Sequence, residues 1–166
     1  VGWQEIGEKV ITPLNGLKVA SYYGCTLQRP EEVGIEPMGS FTLMNELFES
    51  LGAESVPFSA ADKCCGSYQV ICEEAGDNNA AASVLNAASS CGAETLVTSC
   101  PLCEFNLGKQ QEALKKKGKI SESVPTLYFT QLLAIALGVP SDQCGFGLND
   151  AQVNEFLDSK KLLIAA

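Results

Sequence analysis

Cysteine placement is the feature of this chain that most constrains its fold. Five of the eight cysteines fall into three groups, which are Cys25, the adjacent Cys64 and Cys65, and Cys100 with Cys103. Each group follows an apolar run that predicts a buried strand, and these runs cover residues 17–23, 55–58 and 95–98. The carboxyl ends of parallel strands form one crevice in an open α/β sheet, so thiols far apart in sequence can converge there. The spacing therefore predicts one shared site that is rich in sulfur.

Helical patterns separate these strands. Apolar residues recur at helical spacing over residues 41–51, with Ser40 as the expected N-cap. An alanine-rich helix is expected over residues 80–91. Pro101 has the fixed dihedral that favours a first helical turn, so a helix is expected from Pro101 to about residue 117. This helix would carry Cys103 in its first turn.

The final third of the chain continues the alternation of strand and helix. A short fourth strand is expected over residues 124–129 and a helix over residues 131–137, while Asp150 is a candidate start for another helix. Residues 161–166 fit either a final strand or a loose end. The alternation predicts an α/β fold: a Rossmann-like parallel sheet flanked by helices, with cysteines at the carboxyl ends of its strands.

Composition excludes several classes of function. The chain has 166 residues, a net charge of −9 and 46% hydrophobic residues, which indicates a globular domain that repels polyphosphate. We therefore expect no nucleic-acid partner. No apolar stretch approaches the roughly 20 residues that span a bilayer, so we expect no membrane insertion and a cytoplasmic location. Histidine is absent, which removes Cys/His zinc patterns and histidine-based catalysis.

The five grouped cysteines are hard to explain as packing. The other three, Cys72, Cys91 and Cys144, stand alone and are interpreted as small buried hydrophobes. A thioredoxin-type site would need only Cys100 and Cys103, and structural zinc would need only four thiolates. Iron and sulfide suit an all-thiolate site best, although five ligands exceed the usual four. All three chemistries stay open on the residues alone.

The cysteine pattern resembles a known family. Cys25, the Cys64-Cys65-Gly66 motif and Cys100-Pro101-Leu102-Cys103 resemble the cysteine-rich CCG domain of the heterodisulfide reductase B subunit and its relatives. The resemblance extends to Asn106-Leu107 and to residues 127–133, and it covers residues 17–138. It implies a noncubane [4Fe-4S] cluster held by five cysteines, which are Cys25, Cys64, Cys65, Cys100 and Cys103. At this cluster a disulfide substrate would be reduced to two thiols.

The resemblance also implies an organisation and a set of partners. Residues 1–13 would be a linker segment, and residues 14–166 would form a single CCG domain, the second of two in a longer subunit. Partners would be the N-terminal CCG half, a ferredoxin-like iron-sulfur subunit and a flavin subunit. Zinc is expected only in a preparation that lacks the cluster. The alternatives are a metal-free thiol-disulfide oxidoreductase that uses Cys100 and Cys103, and a non-catalytic electron-transfer or zinc-stabilised module of a larger redox complex.

Overall fold

Four parallel strands form the central sheet. The computed structural model describes residues 2–71 and 76–165. The strands lie in the order β2-β1-β3-β4, and their bounds are Lys18–Tyr22 for β1, Glu54–Ser55 for β2, Thr95–Thr98 for β3 and Thr126–Tyr128 for β4. Every neighbouring pair is parallel. This sheet and its flanking helices confirm the predicted α/β fold.

Seven α-helical segments accompany the sheet in the described part of the chain. They are α1 Trp3–Gly7, α2 Thr42–Ser50, α3 Asn79–Ser90, α4 Pro101–Glu104, α5 Gln111–Lys116, α6 Phe129–Ala136 and α7 Ala151–Ser159. Short 3-10 turns occur at Glu31–Val33, Ser67–Ile71, Ser141–Gln143 and Phe146–Leu148. None of the helices in residues 2–71 and 76–165 is both long enough and apolar enough to cross a bilayer.

The second strand is shorter than the sequence predicts. The expected strand covered residues 55–58, whereas β2 pairs with β1 only through Glu54 and Ser55. The Val56 N–H still donates to the Val19 carbonyl at 2.8 Å. Pro57 follows and has no backbone N–H, so it cannot continue the ladder. The chain leaves the sheet there and runs as a loop to Cys64 and Cys65.

The start of α2 differs from the expectation that Ser40 caps it. The N-cap is Phe41, whose side chain forms no capping hydrogen bond. Instead the Glu36 carboxylate accepts from the Thr42 N–H at 3.0 Å and from the Leu43 N–H at 3.4 Å. A carboxylate from the preceding loop thus satisfies helical donors that local sequence assigned to a serine. The predicted start at Asp150 is confirmed, because its side chain accepts from Gln152 N–H.

The long helix expected from Pro101 is not regular. Pro101 occupies its first turn as predicted, but a π-helical turn over Phe105–Lys109 separates α4 from α5. The carbonyl of Leu107 accepts from the Thr126 hydroxyl at 3.0 Å and also from the Gln111 side chain. These side chains satisfy a carbonyl that the wider turn leaves available. The predicted single helix is therefore wrong between residues 105 and 109.

Both ends of the chain pack against the body. In α1, the Trp3 indole donates to the Glu46 carboxylate at 2.7 Å, and the Ile11 N–H donates to the Ala136 carbonyl at 2.8 Å. The linker assignment of residues 1–13 stays a prediction. At the other end, residues 162–165 form no strand, and they are not loose either, because the Ser141 N–H donates to the Ile164 carbonyl at 3.0 Å and the Ile164 N–H donates to the Ser141 hydroxyl at 2.7 Å. Ala166 lies outside the described residues.

Candidate functional site

The end of β1 brings Cys25 to the carboxyl edge of the sheet. Gly24 precedes it with φ of +62°, a left-handed conformation that side chains rarely adopt. A Cβ atom on Gly24 would lie 3.4 Å from the Cys103 sulfur and 3.3 Å from the Tyr22 ring. A glycine is therefore required on both grounds, since the backbone turns sharply there and passes close to another predicted ligand.

The loop after β2 carries Cys64 and Cys65 to the same edge. Its Ala61 carbonyl accepts from the N–H groups of Tyr23 at 2.9 Å and Gly24 at 3.0 Å. This pair of hydrogen bonds fixes the loop on the end of β1, beyond the last rung of the sheet. Cys64 lies close enough to Cys25 to influence its ionisation, so the first two cysteine groups are neighbours. Burial raises the pKa of Cys25, and the neighbouring Cys64 raises it further.

The third group follows β3. Cys100 is the N-cap residue of α4, and its N–H donates to the Thr98 hydroxyl at 3.3 Å. Cys103 lies in the first turn of α4, as the sequence predicted, and it is 5% exposed. Cys100 lies close enough to Cys103 to raise the pKa of the Cys103 thiol. Hence the Cys100-Pro101-Leu102-Cys103 motif presents both of its sulfur atoms at one end of the helix.

The closest contact between groups joins Cys65 and Cys103. Their sulfur atoms lie 3.4 Å apart, and both side chains are buried. A hydrogen bond from Cys103 lowers the pKa of Cys65 to about 6, and this effect outweighs its burial. The same bond, together with burial, raises the pKa of Cys103. Cys65 is thus the thiol of this pair that loses its proton first, and a thiolate is the form that binds metals.

Two buried asparagines hold Cys65, and sequence reasoning did not assign them this role. The Asn106 amide donates to the Cys65 carbonyl at 3.4 Å and to its sulfur at 3.6 Å. The Asn78 amide donates to the same carbonyl at 2.9 Å, while its oxygen accepts from the Ala81 N–H and caps α3. Asn106 is a polar residue on the apolar face of the helix that was expected from Pro101. That position was the signal in the sequence that could have indicated its role.

Tyr22 forms one wall of the thiol site. Its hydroxyl donates to the Lys63 carbonyl at 2.5 Å, just before Cys64. Burial raises the pKa of Tyr22, and electrostatic interaction with the nearby Cys103, Cys65, Cys64 and Cys25 raises it further. The phenol therefore stays neutral, and its hydrogen bond fixes the loop without adding negative charge to the thiols.

The chemistry of the donor set distinguishes between kinds of metal centre. In the described part of the chain, no three cysteine or carboxylate side chains form a preformed cage for a single metal ion. The five thiols instead lie near one another, with a direct sulfur–sulfur contact between Cys65 and Cys103 and with Cys64 and Cys100 close enough to raise the pKa of Cys25 and Cys103, respectively. In an iron-sulfur cluster the thiolates bind different iron atoms, so they need not converge on one point. The residues present therefore fit a polynuclear iron-sulfur centre.

Of the three cysteines interpreted as bystanders, the two in the described residues make their hydrogen bonds away from the five grouped thiols. The Cys91 thiol donates to the Ala88 carbonyl at 3.1 Å, within the turn that ends α3. The Cys144 thiol donates to the Pro140 carbonyl at 3.5 Å, and burial raises its pKa. Cys72 lies outside the described residues, so its interpretation stays a prediction.

Comparison with curated proteins finds relatives among oxidoreductase subunits. The chain is 37% identical to the 8-methylmenaquinol:fumarate reductase membrane anchor subunit of Wolinella succinogenes, over 88% of this chain and 52% of that protein. It is 33% identical to the B subunit of the ferredoxin:CoB-CoM heterodisulfide reductase of Methanosarcina mazei, over 94% and 53%. A protein of Archaeoglobus profundus that is described as similar to the heterodisulfide reductase B subunit is 29% identical, over 97% and 56%. The chain spans about half the length of these relatives.

A family profile gives the more specific result. The profile of the CCG cysteine-rich domain matches residues 19–108, which is more than half of the chain. The matched region runs from β1 through the π-helical turn. It includes all five grouped thiols and both asparagines that hold Cys65. The chain therefore belongs to the CCG family of cysteine-rich domains.

Proposed function

We propose that this chain is the iron-sulfur domain of a heterodisulfide reductase-like catalytic subunit, and that it takes part in reducing a disulfide to two thiols. The cofactor would be a noncubane [4Fe-4S] cluster, bound by Cys25, Cys64, Cys65, Cys100 and Cys103. One observation carries the proposal: thiols from three separate segments lie close together at the carboxyl edge of the sheet, with Cys65 and Cys103 in direct contact. Family membership and relatives named as heterodisulfide reductase B subunits support it.

The side chains around the thiols have separate tasks in this proposal. Cys65 supplies the first thiolate, because its pKa is lowered to about 6. Asn78 and Asn106 fix its backbone and orient its sulfur. Tyr22 closes the apolar side of the site as a neutral group. When bound, the cluster would supply the electrons and the thiophilic iron that disulfide cleavage requires.

Overall, the reaction would consume a disulfide, two electrons and two protons, and it would release two thiols. The electrons would come from a ferredoxin-like iron-sulfur subunit, which would receive them from a flavin subunit. Because the chain spans about half the length of its relatives, we also propose an N-terminal CCG half as a partner within one subunit. These assignments rest on the family resemblance.

Anaerobic metal analysis tests the cluster. Protein that is purified or reconstituted without oxygen should contain about four irons and four acid-labile sulfides per chain. Stoichiometric zinc with negligible iron after anaerobic reconstitution would overturn the proposal. Addition of the disulfide substrate to the reassembled complex should also change the visible and paramagnetic spectra of the cluster, while no cysteine becomes covalently modified.

The first alternative is a metal-free dithiol enzyme, and the structure favours a particular pair of thiols for it. The contact of 3.4 Å and the lowered pKa involve Cys65 and Cys103, rather than the Cys100 and Cys103 pair that the sequence suggested. Attack by a Cys65 thiolate would form a mixed disulfide, which Cys103 would resolve while Cys65 and Cys103 become oxidised to a disulfide. A chelator under reducing conditions separates the two schemes, because dithiol activity would persist and cluster activity would disappear.

A second alternative is an electron-transfer module. It is favoured by the identity of 37% to the fumarate reductase subunit of Wolinella succinogenes, which is the highest value among the relatives described above. Such a module would bind the same cluster but would reduce no disulfide. Full iron content combined with no disulfide reductase activity in the reassembled complex would favour it over the catalytic proposal.

A further inference from the structure

A cavity lies beside the irregular helix that α4, the π-helical turn and α5 form. It has a volume of about 500 Å³, which is in the range of small-molecule sites. Its lining includes Glu104, Phe105, Lys109, Tyr128, Leu148 and Asn149. We call it the Glu104 pocket. It contains none of the five thiols proposed as cluster ligands, so it needs an explanation of its own.

Glu104 is the least expected residue in this pocket. The side chain is only 6% exposed, yet among the described residues its carboxylate has one hydrogen-bond donor, the Asn149 amide at 3.4 Å. The same amide also donates to the Thr126 carbonyl at 3.3 Å, so it is shared. No lysine or arginine within residues 2–71 and 76–165 forms an ion pair with Glu104 at 4.0 Å or less. A buried carboxylate with so little compensation is costly unless a cationic donor approaches it.

Lys109 provides the opposite charge at the same pocket. It is exposed, and no carboxylate of the described residues lies within ion-pair distance of it. The π-helical turn explains why both charges line one cavity. Residues five apart are stacked in a π-helical turn, whereas in a regular α-helix they point in clearly different directions. Glu104 and Lys109 are five apart, and the turn covers Phe105–Lys109.

The remaining lining adds apolar walls and one negative neighbour. Phe105 and Leu148 are 40% and 75% exposed, and both border the pocket. Their aliphatic and aromatic surfaces suit a short hydrocarbon segment. Asp150 lies close enough to add a negative charge near Glu104, although it also caps α7. The buried end of the pocket is therefore the negative end, and the mouth carries the positive charge of Lys109.

We propose that the Glu104 pocket binds a small dipolar ion, a molecule that carries an ammonium group and a carboxylate joined by a short hydrocarbon chain. The ammonium group donates to Glu104, and Asn149 keeps the carboxylate oriented. The ligand carboxylate pairs with Lys109 at the mouth. The hydrocarbon chain lies against Phe105 and Leu148. The pocket adjoins the thiol site through Pro101 and Glu104, but none of the five proposed cluster ligands lines it.

Calorimetric titration of the anaerobically prepared chain tests this proposal. The probes are β-alanine, 4-aminobutyrate and 6-aminohexanoate, with n-butylammonium and butyrate as matched compounds that carry only one of the two charges. At least one ω-amino acid should bind about tenfold more tightly than either single-charge compound, because two ion pairs form instead of one. Glu104→Gln and Lys109→Gln should each remove that advantage. Glu112→Gln and Lys115→Gln, which change exposed residues farther along the same helix, should leave it unchanged.

Three results would overturn the proposal. Absence of binding by every ω-amino acid to the unmodified chain is the first. Equal binding of n-butylammonium and 4-aminobutyrate, unaffected by Lys109→Gln, would indicate a cation site instead. Strong coupling of Glu104→Gln with Lys109→Gln in unfolding experiments, without ligand binding, would mean that the two residues pair with each other. If Glu104→Gln fails to fold, the binding measured for Lys109→Gln, at the exposed end, decides between these outcomes.

Discussion

The two faces of the sheet differ in the share of small side chains that cover them. On one face, α2, α6 and α7 contribute large residues such as Phe48, Leu132 and Leu157. These residues share a core cluster with Val19 of β1 and with Tyr23, which directly follows β1. On the other face, small residues of α3 pack near Ala20 and Tyr22, and the same cluster includes Cys65 and Cys103. We call these the large-residue face and the thiol face.

The difference indicates that the two faces have separate roles, one in stability and the other in holding the thiols. Large buried side chains contribute the most hydrophobic free energy per residue, so the large-residue face supplies much of the stability. Ala81 and Ala88 are buried small residues of α3, and its N-cap residue Asn78 donates to the Cys65 carbonyl, so the N-terminal end of α3 supports the loop that carries Cys64 and Cys65. Substitutions on the two faces should therefore have separable effects, on unfolding or on the cluster.

The largest expected effect is loss of the cluster from the thiol face. Cys65→Ser or Cys103→Ser should remove most of the iron, because a serine hydroxyl is a far poorer iron ligand than a thiolate. The measurement is iron and sulfide per chain after anaerobic reconstitution. The same outcome is expected at Cys25, Cys64 and Cys100.

Bystander cysteines provide the control for that experiment. Cys91→Ser and Cys144→Ser should retain the full iron content and change the free energy of unfolding by only about 1–2 kcal/mol. The ligand assignment is wrong if the cluster survives the loss of both Cys64 and Cys65 but disappears in Cys72→Ser.

On the large-residue face, Phe48→Ala should show the opposite behaviour. The ring is fully buried in α2, so its removal should lower the free energy of unfolding by about 3–5 kcal/mol. Denaturant unfolding measures this loss, and Val33→Ala at an exposed loop position should change it by less than about 0.5 kcal/mol. Iron content below the unfolding temperature should match the parent. A folded Phe48→Ala protein that cannot hold iron would disprove the separation of the two faces.

Much of this architecture was accessible from sequence because its signals are local. Apolar runs marked β1 and β3, Pro101 marked the start of a helix, and Asp150 marked the start of another. The convergence of the thiols followed from a general property of parallel sheets rather than from any contact pattern.

The features that sequence did not predict depend on contacts between distant residues. The π-helical turn exists where Thr126 and Gln111 satisfy the Leu107 carbonyl. The α2 cap comes from Glu36, six residues before Thr42. The pairing of Cys65 with Cys103 joins residues 38 apart in sequence. No local propensity encodes any of these three.

Gly66→Ala at the thiol face can be compared with Gly118→Ala, a substitution of a glycine that has a similar backbone conformation elsewhere in the chain. Gly66 has φ of +71°, and a Cβ there would meet the Asn78 side-chain oxygen at 2.5 Å. Gly118 has φ of +68° but has open space around it. Both substitutions incur backbone strain, so Gly118→Ala should cost about 1–2 kcal/mol in unfolding free energy.

Gly66→Ala should cost more, about 2–4 kcal/mol, because it also displaces the Asn78 cap of α3 and its hydrogen bond to Cys65. It should also lower iron retention during gel filtration, whereas Gly118→Ala should not. Equal unfolding free energies for the two variants would mean that the Asn78 contact contributes nothing to the thiol site.

The smallest expected effect concerns Glu36, which caps α2 on the large-residue face, and it depends on pH. Burial opposes ionisation of Glu36, but hydrogen bonds from Tyr23, Thr42 and Ser40 outweigh it and lower the pKa of this carboxyl. Because the folded state binds the charged form more strongly, its stabilisation is complete above the unfolded pKa and disappears as pH falls through the folded value. Glu36→Gln should therefore lower the unfolding free energy by about 1 kcal/mol at neutral pH.

At pH values below the native pKa of Glu36, the variant and the parent should have nearly equal stability, since the parent is then also uncharged. Denaturant unfolding across the acidic range measures the difference. Glu32→Gln, at an exposed position in the same loop, is the control and should show no such trend. Iron content should not respond to Glu36→Gln at any pH at which the protein is folded, because the carboxylate supports α2 on the large-residue face. A fall in iron content that follows the protonation of Glu36 would mean that this cap also supports Cys25. The link would be Tyr23, which lies two residues before Cys25 and whose hydroxyl hydrogen-bonds to Glu36.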